Sequence, residues 1–345
     1  MQRYVDSHLR LKDYALFRAV CARRRASWWT WPQPLRDGAV RDGDHDREVM
    51  RYHLYVQWLA HERLSSLAAA KQAGCSLCLD LPLGTNPDGY DVWRQRSLFA
   101  LDVNGGAPPD SFFTKGQNWG FPPLHPQTLR EQGCRYFIAS IQNHLRYAGV
   151  LRIDHATGLH RLFWIPKDFS APEGVYVHYR TEELYAILAL ESYRHQALLV
   201  GEDLGTVPRY VRPALARHKA QRMYAPPFEL SPDPKRTLRA APTDSLACMS
   251  THDMPTFTSF WRGLDIQDRV ELGLMDQAQA RREWSRLQKL KATLLVFLQP
   301  NGYLGKGRSG TSQVLTACLK FLGSSRAGLA RISHQGIEKR LSLRG

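Results

Sequence analysis

No stretch of this chain approaches the roughly 18 consecutive apolar residues that a membrane-spanning helix needs. The opening residues, MQRYVDSHLRLKDYALF, contain no uninterrupted apolar run of the signal-peptide kind. These two absences predict a soluble, cytoplasmic protein with no membrane partner. Cysteine is sparse, at six in 345 residues. Cys75 and Cys78 form a CxxC, but no second ligand pair of similar spacing completes a zinc site. The pair falls in an apolar run, so free, buried thiols are expected. Nucleic-acid signatures are also missing: there is no helix-turn-helix signal, RNP motif or zinc-finger spacing. The net charge of +15, from 47 basic and 32 acidic residues, would suit an anionic partner. Yet the arginines are spread along the chain, and the densest cluster is only Arg23, Arg24 and Arg25, shortly before Trp28 and Trp29. No nucleic-acid partner is predicted.

What is present suits a large folded core. Hydrophobic residues make up 43% of the chain. Apolar residues at helical spacing (Leu9, Leu11, Tyr14, Phe17, Val20) predict a helix over 6–24. Tyr55, Trp58, Leu59, Leu64 and Leu67 predict another over 50–73, which Gly74 would stop. Strands are predicted at SLCLDLPL (76–83), GVLRID (149–154), QALLVGEDLG (196–205), RMYAPPFEL (222–230) and SLACMSTHD (245–253). Helices are predicted over 127–148, 181–196, 207–218, 261–275 and 276–298. The Gly- and Pro-rich segment 105–126 reads as a long irregular loop, a kind that is often functional. Alternating strands and helices imply a parallel sheet with helical crossovers.

Three of these strands end in a carboxylate: Asp154 in VLRID, Glu202 in LLVGED and Asp253 in ACMSTHD. In an α/β barrel the strand C-termini share the face that holds the active site, so the three acids are expected to converge. Two chemistries suit them. One is divalent metal binding, for which His155 and His252 could add ligands. The other is glycosidic cleavage, in which one carboxylate attacks and another donates a proton. Arg152 favours the second. It shares the strand face of Asp154, two residues on, where a cation favours an ionised carboxylate and opposes metal binding. Glu202 would need to be protonated to act as an acid. Trp119, Phe112 and Phe113 offer flat surfaces for sugar rings. Asp203 reads as a cap of the following helix, Asp253 has an N-cap as its alternative role, and Phe163 and Trp164 read as core.

Taken together, VLRIDHATGLHRLFWIP, VGEDLG, STHDMPTF, GAPPDSFFTKGQNWGFPP and LDLPLGTNPDGYDVW resemble the 4-alpha-glucanotransferases of the amylomaltase family (glycoside hydrolase family 77), which belong to the alpha-amylase group of retaining barrel enzymes. The resemblance runs from about residue 9 to 322, with the motifs in the family's order. It implies that Asp154 is the nucleophile, Glu202 the general acid/base and Asp253 the third acid, which stabilises the transition state. It implies substrate contacts from Arg152, His252, Asp110, Gln117, Trp119, Asp91 and Trp93. It also implies no metal, no cofactor, and maltooligosaccharides or starch- and glycogen-derived glucans as partners.

The fold class expected is therefore α/β, a (β/α)8 TIM-type barrel incomplete at both ends. The divisions expected are an N-terminal helical segment (1–50), a barrel core with inserted loops (51–322) and a basic tail (323–345). The family's characteristic ending is absent, and Ser111 stands where many relatives carry an aromatic. Two further readings follow from these departures: an inactive fragment of such an enzyme, or a basic binding protein of another kind.

Overall fold

The computed structural model describes residues 1–69, 76–110, 113, 115–307 and 309–331. The chain divides into two compact units, Met1–Leu199 and Val200–Gly345. Its strands, in chain order, are β1 Leu77–Leu81, β2 Val103–Ala107, β3 Gln117–Asn118, β4 Ala148–Ile153, β5 Arg161–Pro166, β6 Val175–His178, β7 Leu198–Gly201, β8 Arg222–Tyr224, β9 Ser245–Cys248 and β10 Leu329–Arg331.

The first unit opens with helices Gln2–Ser7 and Leu9–Arg24, where one long helix was expected. The second ends on Arg25, whose left-handed backbone (φ 49°) turns its N–H onto the Cys21 carbonyl. The inward face of this helix buries Ala15, Phe17, Ala19 and Val20. It packs against the long helix Arg47–Ala69. Phe17 also meets Trp93 at 5.0 Å between ring centres and Trp31 at 5.6 Å. An aromatic core thus anchors the helices to the segment after β1.

Strands β1 and β4 pair in parallel, with Asp80 opposite Arg152 and Leu81 opposite Ile153. Every residue of β4 is buried, as a central parallel strand requires. The helix expected over 127–148 is two helices, Pro126–Glu131 and Arg135–Leu145. Gly133 and Cys134, both at positive φ, break it between them. A second sheet was not expected from the sequence. It is antiparallel, in the order β3-β2-β5-β6. It draws β2 and β3 from the segment expected to be irregular, and β5 from RLFWIP. Phe163, Ile165 and Ala171 form its small core, so Phe163 is a packing residue as expected.

In the second unit Val200 bridges to Gln221 in parallel, and β8 and β10 flank β9, also in parallel. The apolar run RMYAPPFEL is a strand only as far as Tyr224, and Pro226–Glu229 turns into a short helix. Helices Gln277–Leu298 and Thr311–Gly323 cover this sheet with Leu294, Leu298, Val314 and Phe321, packed around Phe257 and Trp261. Asp276 and Gln279 cap the first of these helices reciprocally, each side chain accepting from the other's backbone N–H at 2.7 and 2.9 Å. No helix among the described residues is long and apolar enough to cross a membrane.

Among the described residues Cys21, Cys78, Cys134, Cys248 and Cys318 form no disulfide, and Cys75 lies outside the described residues. Burial pushes Cys21 up to about 11 and Cys318 up to about 12. Because the thiolate is the nucleophile, the peptides carrying Cys21 and Cys318 should stay unlabelled by iodoacetamide at pH 8 until denaturant is added. Peptide mass spectrometry reads the result, and rapid labelling of native protein would contradict the burial.

Candidate active site

The site in the first unit is built on strand register. Asp80 and Arg152 are direct partners across β1 and β4, and Asp154 follows Arg152 by two residues, so all three side chains leave on one face. The Arg152 side chain is 1% exposed. Its Nη1 lies 2.8 Å from each carboxylate oxygen of Asp80 and 2.8 Å from Oδ1 of Asp154. One buried cation thus faces two carboxylates, and such a cation is tolerated inside a protein only when paired in this way. The Asp154 backbone N–H donates to the Leu81 carbonyl at 3.1 Å, which fixes the start of the loop after β4. Among the described residues, Oδ2 of Asp154 has no hydrogen-bond partner from the protein. Arg152 therefore orients the carboxylate from behind and leaves one oxygen open.

His155 comes next, in a left-handed conformation (φ 46°) that is rare for a residue with a side chain. Burial pushes its imidazole below the usual histidine range, and the neighbouring Asp154 offsets this only in part. The edge of Trp119 meets its ring at 5.3 Å. Trp119 in turn stacks on Phe121 (14° between planes) and donates from Nε1 to Gln117 Oε1 at 3.3 Å. Phe121 fits where two glycines leave room. A Cβ on Gly84 would fall 2.2 Å from its ring, and one on Gly105 would fall 2.6 Å away. Gly84→Ala should therefore displace Phe121 and loosen Trp119. The expected readout is a red-shifted, more quenchable tryptophan emission with the fold retained; an unchanged spectrum would show that Phe121 does not hold Trp119.

A cavity of about 520 Å³ opens beside Asp154 and His155. Asp91, Thr85, Tyr90, Tyr136 and Arg10 supply its polar wall. Burial raises the Asp91 carboxyl above the usual range, against the hydrogen bond from Tyr136 and the charge of Arg10. Burial, with the Asp91 charge adding to it, pushes the Tyr136 phenol up to about 12. Asp91 thus lines the cavity. Trp93, two residues on, does not. It is 2% exposed and donates from Nε1 to the Leu35 carbonyl at 3.1 Å, so its role is core packing. Asp110 is exposed, and its Oδ1 accepts from the Phe113 N–H at 2.6 Å. Ser111 and Phe112 lie outside the described residues.

In the second unit, Glu202 directly follows β7, half-buried, and its Oε1 accepts from the Leu204 N–H at 2.7 Å. Asp203 is not the helix cap expected of it. The following helix, Val211–Arg217, starts eight residues later, and the Asp203 side chain is fully buried. Its Oδ2 accepts from Arg212 Nε at 2.9 Å and Arg222 Nε at 3.0 Å, and its Oδ1 accepts from the Met223 N–H at 2.9 Å. Asp203 thereby ties the end of β7 to β8. His252 and Asp253 are both exposed, with Nε2 3.2 Å from Oδ1. The cap of the next helix is Thr256 rather than Asp253. Among the described residues, no cluster of three or more His, Cys, Asp or Glu side chains is placed to hold a metal ion.

The alternation of strands and helices, with carboxylates directly after β4 and β7, is that of an α/β enzyme class, and comparison with known proteins makes the class specific. The profile of the glycoside hydrolase 77 family, described as 4-alpha-glucanotransferase, matches residues 1–342, and the chain belongs to that family. A 4-alpha-glucanotransferase of Haemophilus influenzae is 37% identical over 260 residues, covering 74% of this chain and 37% of the relative. One from Mycobacterium tuberculosis is 34% identical over 337 residues, covering 94% of this chain and 46% of the relative. The chain thus spans less than half the length of either relative. The amylomaltase structure from Corynebacterium glutamicum superposes with a TM-score of 0.78 at 29% identity, over 93% of this chain and 46% of that one. That of Streptococcus agalactiae, solved in complex with acarbose, gives 0.77 over 98% of this chain and 65% of that one. At 19% identity this second match speaks for the fold alone. The fold class is that of the amylomaltases, α/β of the alpha-amylase barrel group.

Proposed function

We propose that this chain carries the chemistry of a 4-alpha-glucanotransferase, moving alpha-1,4-glucan segments between maltooligosaccharides in the cytoplasm. The observation that carries this reading is the half-tied carboxylate of Asp154, with Oδ1 held by a buried arginine and Oδ2 open beside a cavity. That geometry suits a nucleophile. In the first step Oδ2 bonds to the anomeric carbon as the bond from that carbon to the leaving glucan's 4-oxygen breaks, and Glu202 gives that oxygen its proton. In the second step Glu202 takes the proton of an acceptor's 4-hydroxyl, which attacks the same carbon and releases Asp154, so the alpha configuration is retained. Asp253 acts as the third acid, on the sugar hydroxyls, with His252 beside it. Gln117, Trp119 and Asp91 contact the glucan, and Asp110 belongs to the loop that covers it. Arg152 acts through Asp154 by positioning it.

Transfer outcompetes hydrolysis when an acceptor sugar fills the site and excludes water. Incubation with maltotriose tests the proposal, because a transferase yields glucose together with longer oligosaccharides. A soluble, cooperatively folded sample that forms no products would overturn it, and release of glucose and maltose alone would make the chain a hydrolase.

A further inference from the structure

A second cavity, of about 340 Å³, lies in the first unit away from Asp154. Trp29, Asp88, Asn104, Gly120, Pro122 and Lys167 line it. Pro122 lines the larger cavity as well. Trp28 stacks on Trp29 at 4.0 Å and braces it from one side. Trp28 is itself fixed, being 2% exposed with its Nε1 donating to the Pro87 carbonyl at 2.9 Å. The Lys167 ammonium stands 5.0 Å from the centre of the Trp29 ring. Ser27 Oγ donates to Oδ1 of Asp88 and holds that carboxylate at the cavity wall.

We propose that this cavity is a distal glucan subsite, with Trp29 as the platform for a glucose ring and Asp88, Asn104 and Lys167 as hydrogen-bond partners of its hydroxyls. The inference rests on the glucan reading above and extends it to substrate length. A braced aromatic ring beside a carboxylate, an amide and an ammonium offers an apolar face together with donors and acceptors, which is the pairing a pyranose presents. Because Lys167 is exposed, its flexible stem lets the ammonium move off the ring and donate to a hydroxyl. Glucans long enough to reach from the Asp154 cavity past Pro122 gain this contact.

Titration of the full chain with maltoheptaose, followed by calorimetry, tests the site. Trp29→Ala should weaken maltoheptaose binding by about tenfold, as loss of a central aromatic anchor does. Lys167→Ala, at an exposed position indifferent to folding, should weaken it by roughly threefold, the loss of a single hydrogen bond. Equal affinity of both variants and the parent chain, or no binding by the parent, would overturn the proposal. Failure of the maltotriose assay with maltoheptaose binding intact would count against the transfer chemistry and leave the subsite standing.

Discussion

Asp154→Asn should abolish glucan transfer, lowering the rate at least about 10⁴-fold, the scale seen when an activated nucleophile is removed. The carboxamide keeps the shape of the side chain, and its oxygen can still accept from Arg152 Nη1. What it lacks is the negative charge needed to bond to the anomeric carbon. The fold should survive, because Arg152 keeps both oxygens of Asp80 at 2.8 Å. Asp154 is also 31% exposed, so little buried charge is left unbalanced. Product analysis from maltotriose, beside a thermal melt of the same sample, reads both halves of the expectation. Persistent transfer by a folded variant would mean that another group is the nucleophile.

The largest effect on stability is expected at Asp203, which touches no part of the proposed chemistry. Asp203→Ala removes a fully buried carboxylate and strands three donors: Arg212 Nε, Arg222 Nε and the Met223 N–H. Breaking a buried ion pair from one side costs about 3–5 kcal/mol, because the remaining charge stays desolvated. The partial exposure of Arg212, at 46%, places the cost toward the lower end. A drop in Tm of about 4 °C follows for a chain of 345 residues. Asp203→Asn, which keeps one acceptor for Met223, should lose less. Differential scanning calorimetry of both variants decides the matter, and a change in Tm under about 2 °C for the alanine variant would show that the cluster is not a stabilising one.

Much of this was legible in the sequence because strand ends announce themselves. VLRID and LLVGED each read as an apolar run closed by a carboxylate, and the strands end at Ile153 and Gly201, directly before those acids. The family motifs then gave each acid a role to be tested. What stayed hidden were relations across the chain. Nothing local to Asp80 says that it will face Arg152, because strand pairing is set by tertiary register. The antiparallel sheet was missed for a similar reason: the apolar residues of RLFWIP fit a buried segment of any kind, and only pairing with β2 and β6 makes them a strand. Trp93 was misplaced because a motif carries positions and not orientation. Its neighbour Asp91 faces the cavity while the indole turns into the core. Asp203 looked like a cap because acids often precede helices, yet the helix begins too far along the chain to be capped by it. The break at Gly133 could have been read, since a glycine after a short helix is an ordinary stop signal.

The Asp80–Arg152 pairing also bears on how the chain finds its fold. Sliding β1 by one residue against β4 would bring Leu79 or Leu81 opposite Arg152 and send Asp80 to the other face of the sheet. Arg152 would then be buried with one carboxylate fewer, at a cost of several kcal/mol. Hydrophobic contacts between LCLDL and AGVLRI tolerate such a slip, since apolar side chains surround the charged pair along both strands. The charges do not tolerate it. The same guanidinium that orients the Asp154 carboxylate therefore also disfavours misaligned pairings of β1 and β4, and so specifies their register.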